Sequence, residues 1–276
     1  MNIKEKVSSI KEAFTLLGVD ESTLSAQEKK DLDEKGYVVF ENLINEKWLK
    51  ELKEKYEELV AIEGNKGGTE VHQEVGTKRL SNLMNKGEVF DGCYTHPKVL
   101  AAIHHILKRD FKVSAMNGRD SVKGHGLQAL HEDWNDSFFE EGVVEQDGDY
   151  RNPNDPFNVA ISLWMLDEFK EDNGATRVVP GTHLKKAPQF CIDDRMADHP
   201  EQVLVTGKAG TVVVMNSHLW HGGTNNISGE PRKVLHPYYV AREFKQQQDQ
   251  RKHITKETYD RISPAARYIL DVEGAF

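Results

Sequence analysis

A chain of 276 residues is long enough to bury one large hydrophobic core, and its 36 basic and 45 acidic residues give a formal net charge of −9. The absence of a basic block argues against a nucleic-acid-binding surface, and no apolar run approaches the length of a transmembrane helix. The first residues lack the apolar core of a signal peptide, and two cysteines, Cys93 and Cys191, are too few for a disulfide framework. We therefore expect a cytoplasmic protein with two reduced thiols.

Helical patterning dominates the first 110 residues. Apolar side chains recur three and four positions apart, which places them on one face of a helix. Gly18 and Gly36 stand where the first two patterns stop, as glycines at helix ends often do. A short strand is predicted at 37–40, whereas the Gly-, Lys- and Asn-rich residues 63–92 are interpreted as a mobile crossing segment. The predicted helices cover 3–17, 25–35, 46–62 and 97–108.

A period of two replaces the helical period from Phe111 onward, as expected for strands. Many short strands separated by Gly- and Pro-containing turns predict an all-β barrel or a double-sheet, cupin-like jelly roll with the N-terminal helices packed outside. A last helical segment is predicted at about 256–270, broken near Pro264. The candidate strands are 111–117, 127–131, 158–166, 176–179, 202–205, 211–216 and 233–242.

One domain is predicted, with a helical region at about 1–110, a jelly-roll core at about 111–245 and a helical tail at about 250–276. Two long polar loops interrupt the core, at 135–156 and 185–200, and loops of that length are usually either functional covers or disordered. The first loop directly follows the predicted strand that carries a His-x-Asp triplet at 131–133, a candidate metal-binding motif. We therefore interpret this loop as a lid over a site.

A His-x-Asp triplet, His131 to Asp133, follows an alternating β-prone run, which would place both side chains on one face of a strand. Alone it is a weak signal, because a chain with 12 histidines and 45 acidic residues contains such triplets by chance, and a half-buried strand histidine is the simpler reading. The order of later residues strengthens it, since His221 follows a hydrophobic strand and Arg232 opens another. Two histidines and one carboxylate with open coordination positions are typical of non-haem Fe(II) oxygenases.

Three longer stretches resemble the phytanoyl-CoA dioxygenase family of Fe(II)/2-oxoglutarate oxygenases. They are residues 36–44 with the long helix after them, the stretch 163–183 that reads LWMLDEFKEDNGATRVVPGTH, and 210–232, which contains GTVVV and the distal histidine and arginine. The resemblance covers about residues 30–242. It implies a double-stranded β-helix, in agreement with the strand count, and an enzyme that uses Fe(II), 2-oxoglutarate and O2. Its expected reaction is hydroxylation of an unactivated C–H bond of a small-molecule metabolite, with release of succinate and CO2.

Carried over to this sequence, the resemblance implies that His131, Asp133 and His221 bind iron. Arg232 would hold the distal carboxylate of 2-oxoglutarate, a role suited to a planar, permanently charged group; a surface arginine at a strand start is the alternative. His218 competes with His221 as a ligand, but the His-Gly context and the offset to Arg232 favour His221. The hard chemistry belongs to the metal and the cosubstrate, so no amino-acid general base is required.

Further cosubstrate contacts are implied at four positions. Trp164 matches an aromatic position that lines the cosubstrate pocket in relatives, although a lone strand tryptophan is more often part of the core. Gln128 lies three residues before His131, on the opposite parity of a regular strand, so it would reach the cosubstrate only through a twist or a bulge. Thr176 and Ser217 are the remaining candidates.

The sequence does not define the substrate, but two residues are candidates to contact it. Arg119, just before the metal-binding segment, could grip a substrate anion, and Trp134 directly follows the triplet. Asp133 argues against halogenation, because related halogenases have Gly or Ala at the matching position, so we expect hydroxylation; desaturation, cyclisation and demethylation, which use the same iron centre, are the alternative outcomes. A zinc hydrolase with the same three ligands and a non-catalytic β-barrel binding protein are the alternatives.

Overall fold

The computed structural model describes residues 6–71, 73–134 and 156–276. These residues contain two antiparallel β-sheets and eight α-helices. Within these ranges no helix combines the length and the apolar character needed to cross a membrane. The predicted lid at 135–156 lies outside the described residues except for its last position.

Side-chain caps determine where the helices begin. Ser25 and Glu28 form a reciprocal capping box at the start of the second helix. The predicted start of the first helix at residue 3 is wrong, because the Ser9 side chain accepts a hydrogen bond from the Glu12 amide and caps the helix there. The helices are α1 (Ile10–Leu17), α2 (Ala26–Glu34), α3 (Glu46–Glu63), α4 (Asp91–Thr95), α5 (Pro97–Leu107), α6 (Gln250–His253), α7 (Lys256–Arg261) and α8 (Pro264–Leu270).

The described strands are β1 (Tyr37–Phe40), β2 (Thr77–Leu80), β3 (Phe111–Ser121), β4 (Val159–Met165), β5 (Thr176–Val178), β6 (Val203–Val205), β7 (Val212–Asn216), β8 (His221–Gly223) and β9 (Val234–Ala241). The larger sheet has the order β1-β7-β4-β9-β3-β2, and the smaller has the order β6-β5-β8. All neighbours pair antiparallel. The prediction of a mainly β core with flanking helices is confirmed.

Alternate residues of the larger sheet face two different hydrophobic cores. Along β4, Ala160 and Trp164 belong to the core shared with the helices. Ile161 and Leu163 belong to a second core, which also contains Val178 of the smaller sheet. The helices therefore cover one face of the larger sheet, and the smaller sheet packs against the other face, on which the candidate site lies.

Two predictions about local structure are wrong. Residues 63–92 are not a bare crossing segment, because Thr77–Leu80 pair with β3 at the edge of the larger sheet. Residues 127–131 do not form a strand, since a single isolated bridge joins His131 to His221. Two glycines with positive φ just upstream turn the chain there, which explains why the alternating pattern does not continue into a ladder.

The buried Arg177 guanidinium anchors the second polar loop, 185–200. Its side chain is 0% exposed. Nη2 donates to the carbonyl oxygens of Gln128 (2.7 Å) and Arg195 (2.9 Å), and Nη1 donates to that of Ala197 (2.8 Å). The guanidinium thereby ties the loop to the segment that leads into the His-x-Asp triplet.

We expect Arg177→Met to destabilise the fold by about 2–4 kcal/mol, because buried carbonyl acceptors lose their donors. Urea unfolding followed by circular dichroism measures the loss. The matched control is Lys208→Met, which removes a 79%-exposed cation and should change the free energy of unfolding by less than about 0.5 kcal/mol. An Arg177→Met protein as stable as the control would show that the guanidinium does not anchor the loop.

Candidate metal and cosubstrate site

Backbone pairing brings the three predicted metal ligands together. His131 N donates to the His221 carbonyl (2.9 Å), and His221 N donates to the His131 carbonyl (3.0 Å). Asp133 N donates to the Ser217 carbonyl (2.8 Å), which holds the carboxylate beside the two rings. The donor atoms of His131, Asp133 and His221 all lie within 4.8 Å of one another, and in the described part of the chain no other group of three such residues does so.

Both imidazoles present the same nitrogen to the site. His131 Nδ1 lies 2.8 Å from the Ala129 carbonyl oxygen, and His221 Nδ1 lies 2.7 Å from that of Leu219. Because a carbonyl oxygen only accepts, each Nδ1 carries the proton and each Nε2 offers a lone pair. The Nε2 atoms lie 3.8 Å (His131) and 3.5 Å (His221) from the carboxylate oxygens of Asp133. The three side chains are thus oriented so that they could hold a divalent cation between them.

Burial and mutual charge set the protonation of these groups. Removal from water, together with the nearby His221, lowers the pKa of His131 to about 4. Burial acts to raise the pKa of Asp133, but the two histidines outweigh it and the pKa is lowered. Burial opposes the charge on His221, but Asp133 outweighs it and raises the pKa of that ring. A cation that binds here meets a neutral His131 and an ionised Asp133, and it displaces any proton on His221.

A cavity of about 210 Å³ contains the three ligands and also Arg232. The Arg232 guanidinium donates through Nη2 to Thr176 Oγ1 (2.7 Å) and lies 4.2 Å from the Phe169 ring centroid. In the β5–β8 pair, Thr176 lies opposite Gly223, two residues along from His221. Two residues of a strand span about 7 Å, so Thr176, the partner of Arg232, lies only a short way along the paired strands from His221.

The chemistry of Arg232 fits an incoming carboxylate. The residue is 1% exposed, and its Nε and Nη1 atoms have no hydrogen-bond partner among the described residues. Burial and the neighbouring Arg119 lower the pKa of Arg232 well below its usual range. A buried cation with open donors is costly until an anion pairs with it, so Arg232 could hold an anion that enters the cavity.

Trp164 does not lie in the cavity, which corrects its predicted role. Its ring lies on the opposite face of β4, 5.4 Å from the Trp48 ring and 6.0 Å from the His96 ring, and its Nε1 donates to Ser162 Oγ (3.0 Å). The adjacent Leu163 lines the cavity instead. The side-chain alternation of the strand therefore makes Trp164 a core residue.

Ser217 and Trp134 also lie outside the set of cavity-lining residues. Ser217 stands behind Asp133, because its carbonyl accepts from the Asp133 amide and its side chain helps lower the pKa of that carboxyl group. Trp134 packs edge-on against Phe244, with ring centroids 4.9 Å apart. His218 Nε2 accepts from the Asn158 amide (3.3 Å), and the ring does not join the ligand cluster.

Gln128, Thr176 and Arg119 do line the cavity. Gln128 reaches it because its segment is irregular, and its Oε1 accepts from the Gly223 amide (2.9 Å). Several further lining residues were not predicted from the sequence. Two of them, His236 and Tyr238, could have been predicted, because alternate positions after Arg232 along β9 face the same side. The missed polar and aromatic lining residues are Arg79, Asn117, His236, Tyr238 and Gln247, together with Glu74, which contacts the lining.

The sequence of residues 32–234 matches the family model described as phytanoyl-CoA dioxygenase (PhyH). Dioxygenase trt7 of Aspergillus terreus is 26% identical over 70% of this chain and 64% of that protein, a little less than two thirds of its length. Dioxygenase cdmA of Talaromyces verruculosus is 25% identical over 94% of this chain and 87% of that protein.

Among solved structures, HygX from Streptomyces hygroscopicus with nickel and 2-oxoglutarate bound has a TM-score of 0.64 to this chain. The same protein with iron bound has a TM-score of 0.62. In both comparisons the sequence identity is 16%. Each covers 81% of this chain and 89% of HygX. At that identity the likeness shows a shared fold.

We expect Trp164→Phe to lower the free energy of unfolding by about 1–3 kcal/mol, because it leaves space in the core, and to leave 2-oxoglutarate binding unchanged within twofold. Leu163→Phe, the adjacent position on the cavity side, should weaken that binding because the larger ring enters the cavity. Calorimetric titration of the manganese-loaded proteins measures both. If Trp164→Phe weakened 2-oxoglutarate binding more than Leu163→Phe did, Trp164 would line the cosubstrate pocket and its placement in the core would be wrong.

Proposed function

This chain belongs to the phytanoyl-CoA dioxygenase family of Fe(II)- and 2-oxoglutarate-dependent oxygenases, and we propose that it hydroxylates an unactivated C–H bond of a small-molecule metabolite. The observation that carries the proposal is the presence of two complementary features in one cavity. One is the cluster of His131, Asp133 and His221, and the other is Arg232 with open buried donors. A metal site alone would need no such cation.

The three ligands would hold Fe(II) from one side and leave its other coordination positions to the cosubstrate and O2. When bound, iron and 2-oxoglutarate together activate O2, and the cosubstrate is converted to succinate and CO2. The carbonyl groups of Ala129 and Leu219 keep the Nε2 lone pairs of the two histidines aimed at the metal.

Arg232 would hold the distal carboxylate of 2-oxoglutarate. Thr176 orients the guanidinium through its hydroxyl, and the Phe169 ring supports its flat face. The buried position strengthens this charge pairing, because water does not screen it. The chain thereby fixes one end of the cosubstrate at Arg232 and leaves the other to the metal.

Fold and domain organisation are part of the same proposal. The two antiparallel sheets would be the halves of a double-stranded β-helix, with the cavity between them and the helices outside the larger sheet. The whole chain would form one oxygenase domain, as the core shared by α1, α5, α8 and the larger sheet supports. The cavity of about 210 Å³ suits the cosubstrate, so the reactive carbon of the substrate would approach the metal from outside it.

Anaerobic addition of Fe(II) and 2-oxoglutarate should produce a weak visible charge-transfer band. We expect Asp133→Ala to abolish the band, because a ligand is lost, and Arg232→Gln to raise the dissociation constant of 2-oxoglutarate about a hundredfold, because a buried charge-assisted contact is lost. Titration of the band intensity with 2-oxoglutarate gives that constant.

Arg251→Gln is the matched control, since this side chain is 55% exposed and pairs with Asp271. It should leave the constant unchanged. Absence of a band in the wild-type protein, together with tight stoichiometric zinc, would favour a hydrolase. Absence of both, with no succinate formed from 2-oxoglutarate, would favour a binding protein.

A further inference from the structure

A carboxylate from a segment outside the predicted site contacts the cavity lining. Glu74 Oε2 accepts from Arg119 Nε (2.9 Å) and Nη2 (2.7 Å). Glu74 Oε1 accepts from Arg79 Nη2 (3.2 Å) and Gln128 Nε2 (2.8 Å). All three donor residues line the cavity, and the side chains of Glu74 and Arg119 are 14% and 4% exposed. Both oxygens of this carboxylate are therefore committed to cavity-lining donors.

Close packing holds the turn that carries Glu74. Thr77 N donates to the Glu74 carbonyl (3.2 Å), and Val122 N donates to the Gly76 carbonyl (2.9 Å). Gly76 has φ of +68°, and a Cβ added there would lie 2.1 Å from the His125 ring. Only glycine meets both requirements, so the backbone of this turn fits closely against the chain that precedes the metal ligands.

Arg232 differs from Arg119 although both line the same cavity. Arg119 gives its Nε and Nη2 donors to a carboxylate of the protein itself. Arg232 donates to the hydroxyl of Thr176, and its Nε and Nη1 atoms have no partner within the described ranges. The cavity therefore contains two guanidinium groups, those of Arg79 and Arg119, that are already paired with Glu74, and one, that of Arg232, that has open donors for a carboxylate.

We propose that Glu74 is a specificity-determining residue, whose carboxylate fills the anion-binding position of Arg119 so that the cosubstrate pairs with Arg232 alone. The inference rests on the proposed function. Without Glu74, a dicarboxylate could place either end on either guanidinium, and only one arrangement directs the opposite end to the metal. Glu74 acts by excluding the other arrangements, and it touches neither cosubstrate nor metal.

Glu74→Ala should create a binding site for a free carboxylate at Arg119. Acetate at saturation should raise the thermal unfolding midpoint of the metal-free Glu74→Ala protein by about 3 °C more than that of the wild-type protein, because a ligand that binds only the folded state stabilises it. The wild-type protein, and Glu243→Ala, which removes the half-exposed partner of Arg109, should both show only the shift that acetate produces at Arg232. The added shift should disappear in Glu74→Ala/Arg119→Met. No added shift in Glu74→Ala, or an added shift that survives the second substitution, would overturn the proposal.

A second comparison does not depend on the folding of a Glu74 variant. Arg119→Lys keeps a charge for Glu74 to pair with, so the dissociation constant of 2-oxoglutarate from the manganese-loaded protein should change by less than about threefold. Arg232→Lys loses the planar donor group and should weaken binding more than about tenfold. Equal weakening by the two substitutions would show that the cosubstrate uses Arg119 as well, and the role of Glu74 would fall.

The proposed function and the role of Glu74 are contradicted by different results. If neither Arg→Lys substitution alters 2-oxoglutarate binding, the cavity is not a cosubstrate site and the proposed function fails. If only Arg232→Lys weakens binding but acetate stabilises Glu74→Ala no more than the wild-type protein, the oxygenase assignment stands and the exclusion by Glu74 is wrong.

Discussion

Two backbone hydrogen bonds exchanged between His131 and His221 are the constraint on which the site depends. They join two segments that no continuous ladder connects, and they place both imidazoles on the same side. The carbonyl groups that hold each Nδ1 belong to the same two segments, so ring orientation follows from backbone position. Arg177 secures the arrangement from behind by binding the Gln128 carbonyl, three residues before the first ligand.

Strand alternation then divides the molecule into a structural side and a chemical side. The larger sheet faces the helices with one set of side chains, among them Trp164, and faces the smaller sheet with the other, among them Leu163 and Tyr238. Because the cavity lies between sheets and not in a surface loop, charges within it are poorly screened. The stability of the folded state therefore depends on whether each guanidinium in the cavity is paired with a carboxylate.

Residue type and order predicted which three side chains meet as candidate metal ligands and that Arg232 is a candidate in the same site, because coordination chemistry restricts which side chains serve and the strand pattern located them. The predicted cosubstrate contact of Trp164 is wrong because every residue of β4 is buried, so no alternation of polar residues marks which face of the strand points to the cavity. Glu74 had no signal, since it lies in a polar segment whose approach to Arg119 depends on tertiary packing. Residues 127–131 alternate like a strand, but only His131 forms a bridge, with His221, and no continuous ladder develops.

The open donors of Arg232 have a consequence for the life of the protein in a cell. A buried cation with unpaired donors weakens the folded state, and a dicarboxylate that paired with it would shift the folding equilibrium by mass action. Persistence of the folded chain against proteolysis would then rise and fall with the supply of the keto acid. The amount of folded protein would therefore follow the concentration of 2-oxoglutarate.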